Sequence, residues 1–141
     1  MRQLAAALLS CALFSAVLLA GQTSEAHAQG YSDQAVVDQA RSYIGTSYGS
    51  YGLDCSGFTS AVFADMGVSL PDSPSGQYAY GTPSNAKAGD LVFFSEGGYG
   101  ISHVGIATGT GTMIHASTYY GEVVESPIRL VPGYVGAVDA Y

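Results

Sequence analysis

Basic residues are nearly absent from this chain: four of 141 are Lys or Arg, against eleven Asp or Glu. A phosphate backbone needs a Lys/Arg surface, so nucleic acid is excluded as a partner. The same acidity would repel anionic wall polymers and rules out non-specific electrostatic adhesion to them. Cysteine is also scarce. There are two, Cys11 and Cys55, and no close-spaced Cys or His pairs of the kind that hold structural zinc. The chain has no tryptophan, and neither internal repeats nor low-complexity tracts are evident.

The one long apolar run lies at the N-terminus, where Met1-Arg2 precede Leu4 to Ala20 and a polar stretch ends in Ala26-His27-Ala28. A charged start, an apolar middle and small residues at the end describe a secretory signal peptide (1–28), with cleavage after Ala28. The run is short for a bilayer span and an Ala-x-Ala site follows it, which disfavours a membrane anchor. A lipoprotein-type cut at Cys11 would leave half the apolar run on the product. Export implies a secreted protein of the periplasm, cell wall or extracellular space, with no membrane association after cleavage. The single domain expected at 29–141 then holds Cys55 as its one cysteine, and His103 and His115 as its histidines. No internal disulfide can form, so stability must come from packing.

Within 29–141 the pattern changes once. Ser32 reads as an N-cap, and Val36, Val37, Ala40, Tyr43 and Ile44 recur at helical spacing up to Gly45. A turn-forming stretch to Gly52 precedes a second helical pattern from Ser56 to Met66, which puts Cys55 at a helix start. Leu70 to Pro74 reads as loop, with one helical turn near Gln77. Beyond Gly89 come short apolar runs: Leu91–Phe94, His103–Ala107, Thr112–Ala116, Gly121–Ile128 and Val135–Ala140. Helices packed on an antiparallel sheet of about five strands make an α+β layout.

A thiol attacks as its thiolate, and a helix N-terminus with a neighbouring imidazole would acidify Cys55. A cysteine at a helix start, taken alone, is more often a small core residue. The histidines alter that balance. A three-residue loop after Thr108 would pair Gly105 with His115 and bring His103 and His115 onto one face; a two- or four-residue loop would separate them. Zinc held by Cys55, His103 and His115 is an alternative that the missing spacing disfavours, and no metal, nucleotide or other cofactor is indicated.

The runs Leu53-Asp54-Cys55-Ser56-Gly57-Phe58, Ala88-Gly89-Asp90-Leu91-Val92-Phe93-Phe94, His103-Val104-Gly105-Ile106 and Ile114-His115-Ala116 resemble the NlpC-type cysteine peptidases of bacterial cell walls, a papain-like clan. Leu70-Pro71 and Gln77 extend the resemblance. It implies a papain-like fold and a Cys-His-His site: Cys55 as nucleophile, His103 as base and His115 orienting His103. It also implies peptidoglycan stem peptides as substrate, cut between γ-D-glutamate and meso-diaminopimelate or another diamino acid. Tyr48, Asp54 and Ser56 map onto substrate-binding positions, although Asp54 and Ser56 could equally cap the helix. One departure stands out: relatives commonly carry Tyr-x-Trp-Gly-Gly before the nucleophile, and this chain has Tyr48-Gly49-Ser50-Tyr51-Gly52. Three other readings stay open: an N-acetylmuramoyl-L-alanine amidase, an antibacterial wall-degrading toxin, and a non-catalytic wall-binding module.

Overall fold

The computed structural model describes residues 32–141. The expected signal peptide and cleavage point lie outside the described residues. Three helices, α1 (Asp33–Arg41), α2 (Cys55–Asp65) and α3 (Pro74–Tyr80), precede most of the sheet. Six strands follow: β1 (Thr82–Ser84), β2 (Leu91–Phe94), β3 (His103–Ala107), β4 (Thr112–Ser117), β5 (Glu122–Pro127) and β6 (Tyr134–Asp139). Their order is β1-β6-β2-β3-β4-β5, and every pairing is antiparallel.

Each helix starts where its cap chemistry dictates. Ser32, Asp54 and Ser73 accept hydrogen bonds from Ala35, Gly57 and Gly76 N–H respectively, each satisfying a donor of the first turn. α1 stops at Arg41 rather than running to Ile44, because the chain tightens into successive three-residue bonds from Tyr43 to Ala40 and from Ile44 to Arg41. The single turn expected near Gln77 is a seven-residue helix, with Pro74 in its first turn where a missing N–H costs nothing.

Most strands lie within a residue or two of their expected positions, and β1 is an addition. It has three residues, is centred on Pro83 and pairs only with β6. A proline strand on a sheet edge carries no alternating apolar signal, which is why periodicity passes over it.

The alternation of side chains divides the sheet into two buried faces. Leu91, Phe93, Val104, Ile106, Ile114 and Val123 pack with Val36, Phe58, Val62 and Phe63 of α1 and α2. On the opposite face, Val92, Phe94, Ala107, Met113 and Ala137 form a smaller cluster covered by Ala86, Ile128 and Val131. His103 and His115 belong to strands covered on both faces and are themselves buried.

The N-terminus of α2 is the most constrained point of the fold. Gln77 is fully buried, and its amide nitrogen lies 3.0–3.1 Å from the Ser56 carbonyl, Ser60 Oγ and the Pro71 carbonyl. Its amide oxygen accepts the Thr59 hydroxyl at 2.7 Å. This one side chain ties the first turn of α2 to the loop before α3 with its polar groups satisfied. Gly57 allows the preceding loop to close over the same turn, since a Cβ there would lie 1.9 Å from the Gly52 carbonyl oxygen. Gly57→Ala should therefore cost about 3 kcal/mol of stability, the upper end of overpacking costs, read as a lower urea midpoint at unchanged m. A midpoint equal to wild type would show that the loop yields without cost.

Candidate active site

Cys55 is the first residue of α2, and local hydrogen bonding leaves donors free around its sulfur. Asp54 Oδ1 takes the Gly57 N–H at 2.7 Å, and the Asp54 carbonyl takes the Phe58 N–H at 2.8 Å. The N–H groups of Cys55 and Ser56 remain, and with the Val104 N–H they pull the thiol pKa down. Burial outweighs them: it pushes the thiol above its ordinary value, and the Asp54 carboxylate adds to the rise. The acidified thiol expected from the helix start therefore meets a larger opposing desolvation. The sulfur lies 3.8 Å from the Ser102 carbonyl oxygen, beside the start of β3 and one residue from His103.

The turn between β3 and β4 fixes the histidines. Thr108 N–H bonds to the Thr112 carbonyl at 3.0 Å, leaving three residues, Gly109 to Gly111, in the loop. Both glycines have positive φ, +89° and +86°, which a side chain would strain. Ile106 then pairs with Ile114 and Ala107 with Met113. A Cβ on Gly105 would come 3.1 Å from His115 Cβ, so these two positions face each other. The three-residue register is the one observed, and it puts both histidines on one face.

There the rings meet edge to face, with His103 Nε2 2.7 Å from His115 Nδ1. His115 Nε2 lies 2.8 Å from Ser126 Oγ. This leaves Nδ1 of His103 as the ring nitrogen available to a thiol proton. Burial lowers the His103 pKa, partly offset by the negative charge of Glu96. Burial and then the neighbouring His103 lower His115 to about 4. Thiol and imidazoles are all held towards their uncharged forms.

Tyr48 is placed by pairing of its segment with β5. Ser47 bridges to Glu122, and the Tyr48 N–H bonds to the Gly121 carbonyl at 2.9 Å. Its phenol pKa is raised by burial first and then by the charges of Cys55, Asp54 and Glu96, so it stands within electrostatic range of the thiol. Asp54 is the α2 cap. Ser56 is buried, with its hydroxyl 3.4 Å from Asp54 Oδ1 and its carbonyl taken by the Gln77 amide. The structure thus brings Cys55, His103, His115 and Tyr48 to one region, and gives Asp54 and Ser56 structural bonds within it.

Glu96 and Ser126 were not foreseen. Glu96 lies in a glycine-rich loop with no periodicity to place it. Ser126 could have been found only from the β4–β5 register, which pairs it with Met113 on the His115 face. Both border a cavity of about 550 Å³ that is also lined by His103, His115, Tyr119 and Tyr120. A larger hollow of about 860 Å³, around Thr112, Ile128 and Arg129, contains no cysteine or histidine. Among the described residues, no group of three or more His, Cys, Asp or Glu is arranged to hold a metal ion. The paired histidine nitrogens share one hydrogen bond instead of converging on a common point.

Helices packed on an antiparallel sheet, with a cysteine at a helix start beside a strand histidine, define a papain-like α+β domain. Residues 22–131 match the NlpC/P60 family, and the chain belongs to that family. It is 49% identical over 90 residues to the probable endopeptidase p60 of Listeria innocua, covering 58% of this chain and 19% of that protein. It is 44% identical over 96 residues to the gamma-DL-glutamyl hydrolase of Bacillus subtilis, covering 60% of this chain and 23% of that one. The chain therefore spans only about a fifth of the length of these relatives. Among solved structures, the NlpC/p60 domain of the peptidoglycan hydrolase SagA superposes with a TM-score of 0.68 at 35% identity, covering 77% of this chain and 99% of that domain.

The histidine shifts set a pH dependence. His115 has its folded pKa depressed to about 4 from 6.5, so the unfolded chain binds more protons between those values. Its stabilising contribution is full above about pH 6.5 and disappears as pH falls through about 4, an amount on the order of 3 kcal/mol. Urea midpoints at pH 7 and pH 4 should fall further apart for wild type than for His115→Gln, which cannot titrate. Equal differences for the two proteins would contradict this assignment.

Proposed function

We propose that this protein is a secreted cysteine peptidase that hydrolyses the bond between γ-D-glutamate and a diamino acid, such as meso-diaminopimelate, in peptidoglycan stem peptides. The observation that carries the reading is the placement of the Cys55 thiol beside the strand whose His103 bonds His115 at 2.7 Å. Family membership and the activity named for the Bacillus subtilis relative support the choice of bond. The apolar leader and Ala26-His27-Ala28 support export to the periplasm, wall or exterior.

In this mechanism the Cys55 sulfur attacks the γ-glutamyl carbonyl carbon as its proton passes to Nδ1 of His103. Because burial disfavours both charged partners, proton transfer and attack are coupled, with His103 as general base. The Cys55 N–H at the α2 start donates to the developing oxyanion. His103 returns the proton to the leaving amine, the C–N bond breaks and a thioester remains. Water, deprotonated by His103, then releases the D-glutamyl product and the thiol. His115 holds the ring of His103 through the Nε2–Nδ1 bond. We assign substrate binding beside the nucleophile to Tyr48, Asp54 and Ser56; the electrostatic influence of Cys55 on the Tyr48 phenol supports Tyr48.

Mass spectrometry of purified muropeptides incubated with the protein tests this reading, with Cys55→Ala in parallel. Fragments beginning at the diamino acid should appear with wild type and fall at least about a thousandfold in the variant, as when a nucleophile is removed. Release of the whole stem by wild type would make the protein an amidase, and no cleavage at all would leave a wall-binding module.

A further inference from the structure

Ser126 has no place in the Cys-His-His description, yet its hydroxyl occupies the far ring nitrogen of His115. It sits on β5 opposite Met113, on the face that also carries His115, and is half-buried at the edge of the cavity next to His103. Cys55, His103, His115 and Ser126 thus lie in sequence. A thiol stands beside the start of β3, and two ring-nitrogen contacts of 2.7 and 2.8 Å lead away from His103 to a hydroxyl.

We propose that Ser126 is a positioning residue that holds His115 in the one tautomer compatible with His103 acting as a base. The inference rests on the proposed roles of Cys55 and His103. Once His103 has taken the thiol proton, both its nitrogens carry hydrogen, so its Nε2–H must donate to His115 Nδ1. A neutral His115 with a bare Nδ1 carries its hydrogen on Nε2. That hydrogen needs an acceptor, and Ser126 Oγ is 2.8 Å away. The depression of the His115 pKa to about 4 keeps the ring neutral at working pH, so the choice of tautomer stays meaningful.

The opposite polarity blocks the chemistry. If Ser126 O–H donated to His115 Nε2, His115 Nδ1–H would donate to His103 Nε2. The single hydrogen of His103 would then sit on Nδ1, the atom that must receive the thiol proton. Deleting the oxygen leaves the His115 Nε2–H without its acceptor.

Ring-nitrogen NMR of ¹⁵N-histidine-labelled protein at pH 7, without substrate, tests the tautomer directly. Wild type and Ser126→Thr should carry the His115 proton on Nε2, and Ser126→Ala should shift that population towards Nδ1. In muropeptide cleavage, Ser126→Ala should lose about tenfold in kcat, about 1.4 kcal/mol, with KM within about twofold of wild type. The acid limb of its pH profile should change position, and Ser126→Thr should restore both kcat and the profile. An unchanged tautomer in Ser126→Ala, or an altered tautomer with kcat and profile intact, overturns the proposal. A wild type that cleaves no muropeptide, with the Ser126→Ala tautomer shift still present, would remove the proposed activity and leave the control of His115 standing.

Discussion

The β3–β4 turn is the constraint on which the candidate site rests, because strand side chains alternate and a one-residue slip would turn His103 and His115 to opposite faces. Gly109 and Gly111 take backbone conformations that favour glycine, and the Thr108–Thr112 bond closes the loop at three residues. From that closure follow Gly105 opposite His115, where a Cβ would crowd Met113 Sδ and His115 Cβ, and the 2.7 Å bond between the two histidines. The β4–β5 pairing then carries the arrangement one strand further, to Ser126.

The other half of the site depends on holding a helix end still. A free helix N-terminus would fray, and a nucleophile there would lose its orientation. Here the first turn of α2 is held from three sides, by the Asp54 cap, the Gln77 amide and the close approach of Gly57 to Gly52. The arrangement has an electrostatic consequence. The protein that immobilises Cys55 and the histidines also desolvates them, favouring the uncharged thiol and imidazoles.

Much of this was legible in the chain. Ser32, Gly45 and Gly67 bracket helical patterns whose apolar spacing has one solution, and the runs at Leu91, His103 and Thr112 are too short and too β-branched or aromatic for helices. The roles of Asp54 and Ser56 were less legible, because an acid and a hydroxyl beside a helix start serve a cap and a ligand equally well. The edge strand at Pro83 was invisible, since neither periodicity nor propensity marks it.

By itself the sequence determined the α+β layout, Cys55 at a helix start, and a hairpin able to bring two histidines together if its loop had three residues. These are local properties, governed by spacing and by the conformations glycine permits. Only the tertiary structure decided that the thiol is buried beside β3, that Glu96 reaches His103 by its field, and that Ser126 lies 2.8 Å from His115. Those facts depend on which strands become neighbours and how deeply their side chains are covered, and both emerge when distant segments pack.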